Sequence, residues 1–213
     1  MNIKRKRLKN LIILCGVLIL LLLIIGLLSN KLVGIDKLVY ELIIKLKSPF
    51  MTKFFKFITF FASIWWFFIV CVLLLIFNKN RKLSLVLIVY IFIVAGITFF
   101  MKNIFGRARP NDLVMILESG YSFPSGHSSS SMAFYGFLAY LVYKSNLLKY
   151  KKIILVTLLL SLVLLIGMSR IYLGVHYATD VLAGFMVGLI YLMIFILLYN
   201  MKKEEKDGKS NFS

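Results

Sequence analysis

The chain's two histidines, His127 and His176, are the side chains best suited to acid, base or nucleophilic chemistry, because an imidazole changes its charge near neutral pH. Asp180 follows His176 by four residues, a spacing that brings two side chains together on one face of a helix. A carboxylate bound to one ring nitrogen fixes the tautomer and leaves the other nitrogen free as a nucleophile or base. The same spacing also occurs in ordinary polar contacts, so this pair alone leaves both interpretations open.

Three cationic side chains lie near these residues in the sequence. Lys102 and Arg109 are seven residues apart, which on a helix places them two turns apart on the same face, and Pro110 then ends that helix. Arg170 lies six residues before His176, and the fork of a guanidinium matches phosphate oxygens well. Two cations on one face favour an anion between them, although they could equally anchor lipid head groups.

A short polar segment, Pro124-Ser125-Gly126-His127, directly precedes an apolar run that is predicted to be helical. Unpaired N–H groups and the dipole at a helix N-terminus favour an anion, and glycine lets the backbone approach a ligand closely. Proline, serine and glycine are also common capping residues, so this segment is ambiguous when taken alone.

Taken together, the three groups supply cations, a helix N-terminus and two imidazoles. These are the components needed for phosphoryl transfer without a metal: fixed positive charge holds the phosphoryl group, one histidine attacks, and the other protonates the leaving oxygen. Such chemistry requires that elements far apart in the sequence bring the three groups together.

The elements that could bring these three groups together are apolar helices. Of the 213 residues, 61% are hydrophobic and only 16% are charged, whereas charged residues make up about a quarter of a soluble domain. Backbone groups within a bilayer must be satisfied inside the segment, so long apolar runs are helices. The sequence predicts an all-α, six-helix transmembrane bundle. Its spans cover residues 11–28, 57–77, 83–101, 128–143, 153–169 and 181–199.

The distribution of basic residues predicts the orientation, because lysine and arginine are enriched on the cytoplasmic side of membrane proteins. With both termini in the cytoplasm, 16 of the 26 basic residues lie on the cytoplasmic side, and the candidate site lies on the outer face of the cell membrane. The net charge of +18 is spread over several short loops, which favours contact with anionic head groups over a nucleic-acid partner.

Three further segments can be interpreted. Between the first two spans, residues 31–56 have apolar residues at near-helical spacing, which predicts an amphipathic helix in the outer interface, acting as a packing element or as a lateral gate for lipid. Residues 202–213 are predicted to be a disordered cytoplasmic tail. Gly184 and Gly188 form a small-xxx-small pair, which serves packing within the bundle or dimerisation, so the oligomeric state stays open.

The motif residues resemble the type 2 phosphatidic acid phosphatase family, whose signature is K-x6-R-P, then P-S-G-H, then S-R-x5-H-x3-D. All three parts match without a gap between residues 102 and 180, in order and on a chain of six predicted spans. The resemblance implies that His176 is the nucleophile that forms a phosphohistidine, that Asp180 orients it, and that His127 is the general acid. It implies that the phosphate is bound by Lys102, Arg109, Ser125, Gly126 and Arg170.

The family also implies an enzyme without a metal or other cofactor, acting on a lipid phosphate in the bilayer. Short bacterial members include phosphatidylglycerophosphate phosphatases and undecaprenyl pyrophosphate phosphatases, and the sequence does not distinguish between these substrates. Transfer of the phosphate to another acceptor remains a rival, as does a relic that only binds lipid. A lipid transporter or flippase is disfavoured, because the charges cluster at one face and inverted repeats are not visible. Arg107 and Glu118 lie outside the signature and receive no role.

Overall fold

The computed structural model describes residues 3–77, 81–111 and 114–210, and the regular secondary structure within these ranges is helical throughout. The all-α prediction is therefore confirmed. In chain order the helices are α1 (Ile3–Leu28), α2 (Val33–Ile44), α3 (Pro49–Phe60), α4 (Ile64–Phe77), α5 (Arg81–Phe105), α6 (Gly126–Lys144), α7 (Lys149–Tyr172) and α8 (Ala178–Ser210).

Four of these helices, α1, α5, α7 and α8, are long and apolar enough to cross a bilayer, and α3 with α4 forms a fifth candidate if the bent pair is one span. The chain is therefore a multi-pass membrane protein, but six spans are not confirmed. The helix α6 has 19 residues and begins with a run of serines, residues 128–131, that are all buried. These serines make α6 less apolar than its neighbours, and their hydroxyls face the protein interior.

The predicted second span, residues 57–77, is not one continuous helix. It is broken after Phe60, and α3 meets α4 at a bend of 44°. The predicted amphipathic segment, residues 31–56, is likewise divided between α2 and the first part of α3. Ser48 caps α3 by accepting a hydrogen bond from the Met51 N–H, and Pro49 occupies the first turn, so this sequence starts a new helix.

The last helix extends to Ser210, whereas the sequence predicted a disordered tail from residue 202. Lysine and glutamate are strong helix formers, and residues 202–206 contain only these two types, so the segment can continue the helix that precedes it. Residues 211–213 lie outside the described residues.

The helices α6 and α8 pack closely through Gly184 and Gly188. A Cβ atom at Gly184 would lie 2.5 Å from the carbonyl oxygen of Ser125, and one at Gly188 would lie 2.5 Å from that of Ser129. The small-xxx-small pair therefore serves packing within the chain. On its other side, α6 contacts α5 through a hydrogen bond of 2.9 Å between the hydroxyls of Ser129 and Thr98. This packing fixes the N-terminus of α6 beside the first turn of α8.

Candidate active site

The three motif segments come together at one end of the bundle. The Arg109 Nη1 atom lies 3.3 Å from the Nε2 atom of His176, and the backbone N–H of Ser125 donates to the carbonyl of Asp180 at 2.9 Å. Lys102, Arg109 and Arg170 are near enough to both imidazole rings for their positive charge to act on them. These cations therefore lie close to His127 as well as to His176. The structure thus unites residues that are up to 78 positions apart in the sequence.

His176 lies in the loop between α7 and α8, and its side chain is 2% exposed. Burial lowers the pKa of His176 well below its usual value, and the positive charges of Arg170, Lys102 and Arg109 lower it further. The ring is therefore neutral at pH 7. A neutral imidazole has the nitrogen lone pair that a nucleophile needs.

Asp180 contacts the other side of this ring, at 3.4 Å between its Oδ2 atom and His176 Nδ1. The same oxygen accepts a hydrogen bond from the Tyr177 N–H at 2.9 Å, while Oδ1 accepts one from Arg107 Nη1 at 2.6 Å. Both carboxylate oxygens are thus held by donors other than the histidine, whose buried Nδ1 atom contacts Oδ2 but has no hydrogen-bond partner among the described residues. This arrangement keeps Asp180 directed at Nδ1 and leaves Nε2 directed at Arg109.

The cations of the site are bonded to the loop before α6. Lys102 Nζ donates to the carbonyl of Tyr121 at 2.5 Å, and Arg109 donates to the carbonyls of Ser119 and Gly120, each at 2.9 Å. The Glu118 carboxylate lies 2.5 Å from Arg170 Nη2 and 3.8 Å from Arg109 Nη2. A single carboxylate between two guanidinium groups occupies the kind of position that a phosphate would take.

Arg170 retains one donor that these contacts do not use. Its side chain is 1% exposed, and its Nη1 atom donates to Thr59 on α3 at 2.7 Å. The Nε atom is buried and has no hydrogen-bond partner among the described residues. A buried guanidinium N–H without a partner is costly, so an anion that accepted from it would be favoured.

Ser125 is the N-cap of α6. Its hydroxyl accepts from the Ser128 N–H at 3.4 Å and from the Ser128 hydroxyl at 3.0 Å, so the capping interpretation of the sequence holds for this side chain. A Cβ atom added at Gly126 would meet no heavy atom within 4 Å. Packing therefore does not require glycine here, and the space beside Gly126 is open. His127 follows in the same turn and is partly exposed.

Three residues of the site have no role predicted from the sequence. Arg107 contacts Asp180, Glu118 contacts the cations Arg109 and Arg170, and Asp36 contacts Arg107. Asp36 lies on α2, is 3% exposed, and bonds to Arg107 and Thr179. One signal was available: the chain has only eight acidic residues, and Asp36 is one of two in the segment predicted to be an amphipathic helix.

A cavity of about 430 Å³ adjoins the site on the side of α2. Asp36, Arg107, Tyr177 and His176 are among the residues that line it, together with Leu27 at the end of α1. The cationic residues Lys102, Arg109 and Arg170 do not line it. The cavity therefore lies behind the histidine and aspartate pair and not at the cations that would bind a phosphate.

The fold and the site together define a multi-pass, all-α membrane protein with a buried histidine among fixed cations. Comparison with known families identifies the class: the PAP2 superfamily matches residues 82–204, more than half of the chain, and the chain belongs to this family. The match includes every residue of the three-part signature.

Two curated relatives are each similar to more than half of the chain. Phosphatidylglycerophosphatase B of Bacillus subtilis (strain 168) is 36% identical over 124 residues, which cover 57% of this chain and 54% of the relative. An undecaprenyl-diphosphatase of Sulfolobus acidocaldarius is 30% identical over 129 residues, which cover 56% of each protein. The chain thus spans about half the length of the curated relatives it matches.

Two solved structures have a similar fold. The crystal structure of a transmembrane PAP2 type phosphatidylglycerolphosphate phosphatase from Bacillus subtilis has a TM-score of 0.76 at 24% identity, and the match covers 89% of this chain and 96% of that one. Aquifex aeolicus LpxE has a TM-score of 0.60 at 25% identity, with 73% and 91% covered. The fold of the PAP2 phosphatases therefore extends over most of this chain.

Proposed function

We propose that this protein is a membrane lipid phosphatase that hydrolyses a phosphomonoester or pyrophosphate on a lipid through a phosphohistidine at His176. The observation that carries the proposal is the 3.3 Å contact between His176 Nε2 and Arg109 Nη1, on a ring that Asp180 contacts from its other side. A neutral nucleophilic nitrogen then faces the positive charge that would bind the substrate phosphate.

The reaction has two steps. In the first, the lone pair of His176 Nε2 attacks phosphorus, the bond to the lipid oxygen breaks, and His127 donates a proton to that oxygen. Burial and the positive charges of Arg170, Lys102 and Arg109 lower the pKa of His127 in the free site, so this step requires the negative charge of the bound phosphate to protonate His127. In the second, His127 takes a proton from water, whose oxygen attacks the phosphohistidine and releases inorganic phosphate with His176 restored. Lys102, Arg109 and Arg170 balance the charge on the phosphoryl oxygens in both steps.

Two lipids are the leading candidates for the substrate. The two curated relatives are named for phosphatidylglycerophosphate and for undecaprenyl diphosphate. Both present a terminal phosphate on an apolar anchor, which suits a cationic site at one end of a membrane bundle. The excess of basic residues on the opposite side supports a site at the outer face of the cell membrane, with both termini in the cytoplasm. This position suits the undecaprenyl lipid, whose diphosphate is released outside the cell.

The test is a phosphate-release assay on purified protein with phosphatidylglycerophosphate, undecaprenyl pyrophosphate, phosphatidic acid and diacylglycerol pyrophosphate. Free phosphate as the product distinguishes hydrolysis from transfer to another acceptor. A chelator should leave the rate unchanged and vanadate should inhibit it, since no metal takes part in the proposed steps. Strong inhibition by the chelator would contradict the mechanism.

The His176→Ala variant tests the covalent step. Without Nε2 there is no nucleophile, and we expect turnover to fall by at least about a thousandfold while the protein keeps its melting temperature. The matched control is His127→Ala, which removes the proton donor of the first step and the base of the second but keeps the nucleophile. With a substrate that has a good leaving group, such as a p-nitrophenyl phosphate ester, it should still form the phosphohistidine and give a burst of p-nitrophenol, which His176→Ala should not give. Hydrolysis near the normal rate by His176→Ala would eliminate the phosphohistidine.

A further inference from the structure

Asp36 is a buried carboxylate on α2 with no part in the family signature. It is 3% exposed, and it lies outside the residues that the family model matches. Its Oδ2 atom accepts from Arg107 Nη2 at 2.6 Å and from the Thr179 hydroxyl at 3.0 Å, while its Oδ1 atom accepts from the Thr179 N–H at 2.9 Å. These three bonds satisfy a buried charge whose burial would otherwise be very costly.

The bonds to Thr179 cap α8 from another helix. Thr179 is the second residue of α8, and the first N–H groups of a helix have no partner within it. Asp36 supplies both the acceptor and the negative charge that such an end favours, although it is 143 residues away in sequence. The cap therefore fixes the turn that carries Asp180, the next residue along the chain.

Arg107 connects Asp36 to Asp180 directly. Its Nη2 atom donates to Asp36 and its Nη1 atom to Asp180, each at 2.6 Å, and the guanidinium lies 4.0 Å from the centre of the Tyr177 ring. Two carboxylates thus share one cation. If Asp36 were neutral, the charge of Arg107 would act on Asp180 alone, and the Asp180 carboxylate would stabilise positive charge that develops on His176 less strongly.

We infer that Asp36 is a positioning residue for the proposed reaction, acting through Arg107 and Thr179 to hold Asp180 against His176. The inference rests on the proposed function and extends it to α2. This helix exposes Val33, Leu38 and Leu42 on its outer surface, as expected where lipid is the neighbour, and directs Asp36 inward. Helix α2 thus contributes a residue that supports the active site.

The test compares Asp36→Asn with wild type as full-length protein in detergent, using whichever lipid of the phosphate-release panel is hydrolysed fastest. Asparagine keeps the size and one acceptor but removes the charge. We expect kcat to fall about tenfold, with KM and the inhibition constant of vanadate within about twofold of wild type. The phosphate-binding cations Lys102, Arg109 and Arg170 make no contact with Asp36, so ground-state binding should persist.

Further variants separate positioning from general stability. Glu41→Gln removes the exposed acidic residue of the same helix, which forms an ion pair with Lys37 at 3.9 Å, and its kcat should be unchanged. In the double variant Asp36→Asn with Arg107→Gln, the two residues act as one unit, so the loss should not exceed that of Arg107→Gln alone. If Asp36→Asn folds poorly, Asp36→Glu keeps the charge and should retain most of the kcat.

The outcomes distinguish a failure of the inferred role of Asp36 from a failure of the proposed function. Wild type that releases no phosphate from any of the four lipids would refute the proposed function. Active wild type with an equally active Asp36→Asn variant would refute the role of Asp36 alone. A variant whose KM or vanadate affinity changes while kcat does not, or losses that multiply in the double variant, would also overturn it.

Discussion

At the scale of single residues, the site balances positive charge with backbone carbonyls and one carboxylate. Lys102 and Arg109 donate to carbonyls of the loop before α6, and Glu118 lies between Arg170 and Arg109. Burial lowers the pKa of Arg109, while Glu118 opposes that effect. The loop thus stabilises a cluster of cations that would otherwise repel one another.

Glu118 competes with a bound phosphate for the same two guanidinium groups. In the Glu118→Gln variant this competing charge is removed, so inorganic phosphate and vanadate should bind more tightly, by about three- to tenfold. The measurement is the inhibition constant of each anion in the phosphate-release assay. Glu41→Gln, which removes an exposed charge far from the cations, is the control. Weaker anion binding by Glu118→Gln would show instead that Glu118 is needed to hold Arg170 in place.

At the scale of elements, contacts between helices set the positions of the reacting groups. The contact of Gly184 with the Ser125 carbonyl brings the start of α6 to the first turn of α8. Arg170, near the end of α7, donates to Thr59 on α3, and Asp36 on α2 caps α8. Helices from both halves of the chain thus contact the same site.

The α6 and α8 contact can be tested with Gly184→Ala. Its Cβ atom would lie 2.5 Å from a backbone oxygen, which cannot rotate away, so the two helices must separate. We expect a loss of about 1 to 3 kcal/mol in stability, seen as a lower melting temperature, and a fall in turnover as Ser125 and His127 shift. Gly96→Ala on α5 is the matched control, because its Cβ would meet nothing within 4 Å. Equal behaviour of the two variants would contradict this account.

At the scale of the whole molecule, the bundle places the site at one end, and the basic residues are the basis for its proposed side of the membrane. The starts of α1 and α7 and the end of α8 are rich in lysine and arginine, as expected for cytoplasmic segments. Most of the basic residues on the opposite side are in α2, in α3 or in the site itself. The proposed orientation therefore has the cations of the site facing outward.

Cysteine labelling tests this orientation. In a background without Cys15 and Cys71, the Leu117→Cys variant places a thiol at a residue that is 98% exposed in the loop before α6. A membrane-impermeant maleimide should label it in intact cells. Asn146→Cys, in the exposed turn between α6 and α7, should be labelled only after the cells are permeabilised. The reverse pattern would place the site in the cytoplasm.

The sequence by itself determined the helical class and the residues of the signature. Long apolar runs can satisfy their backbone in a bilayer only as helices, and the three motifs are short segments whose residue types carry their own chemistry. The contact of His176 with Asp180 was also predicted, although not its cause: His176 lies in the loop before α8, so the two side chains do not stack on one face of a helix. These features depend on local spacing, which a linear sequence contains in full.

Only the tertiary structure decided which of these segments contact one another. The break between α3 and α4 and the buried serines of α6 depend on neighbouring helices, so hydropathy alone assigned one continuous span where the chain bends by 44°. The contact of Asp36 with Arg107 joins residues 71 positions apart, and its contact with Thr179 joins residues 143 apart. No local pattern encodes such a pairing. A buried carboxylate is stabilised by whichever donors the packed helices bring to it, and packing is a property of the whole bundle.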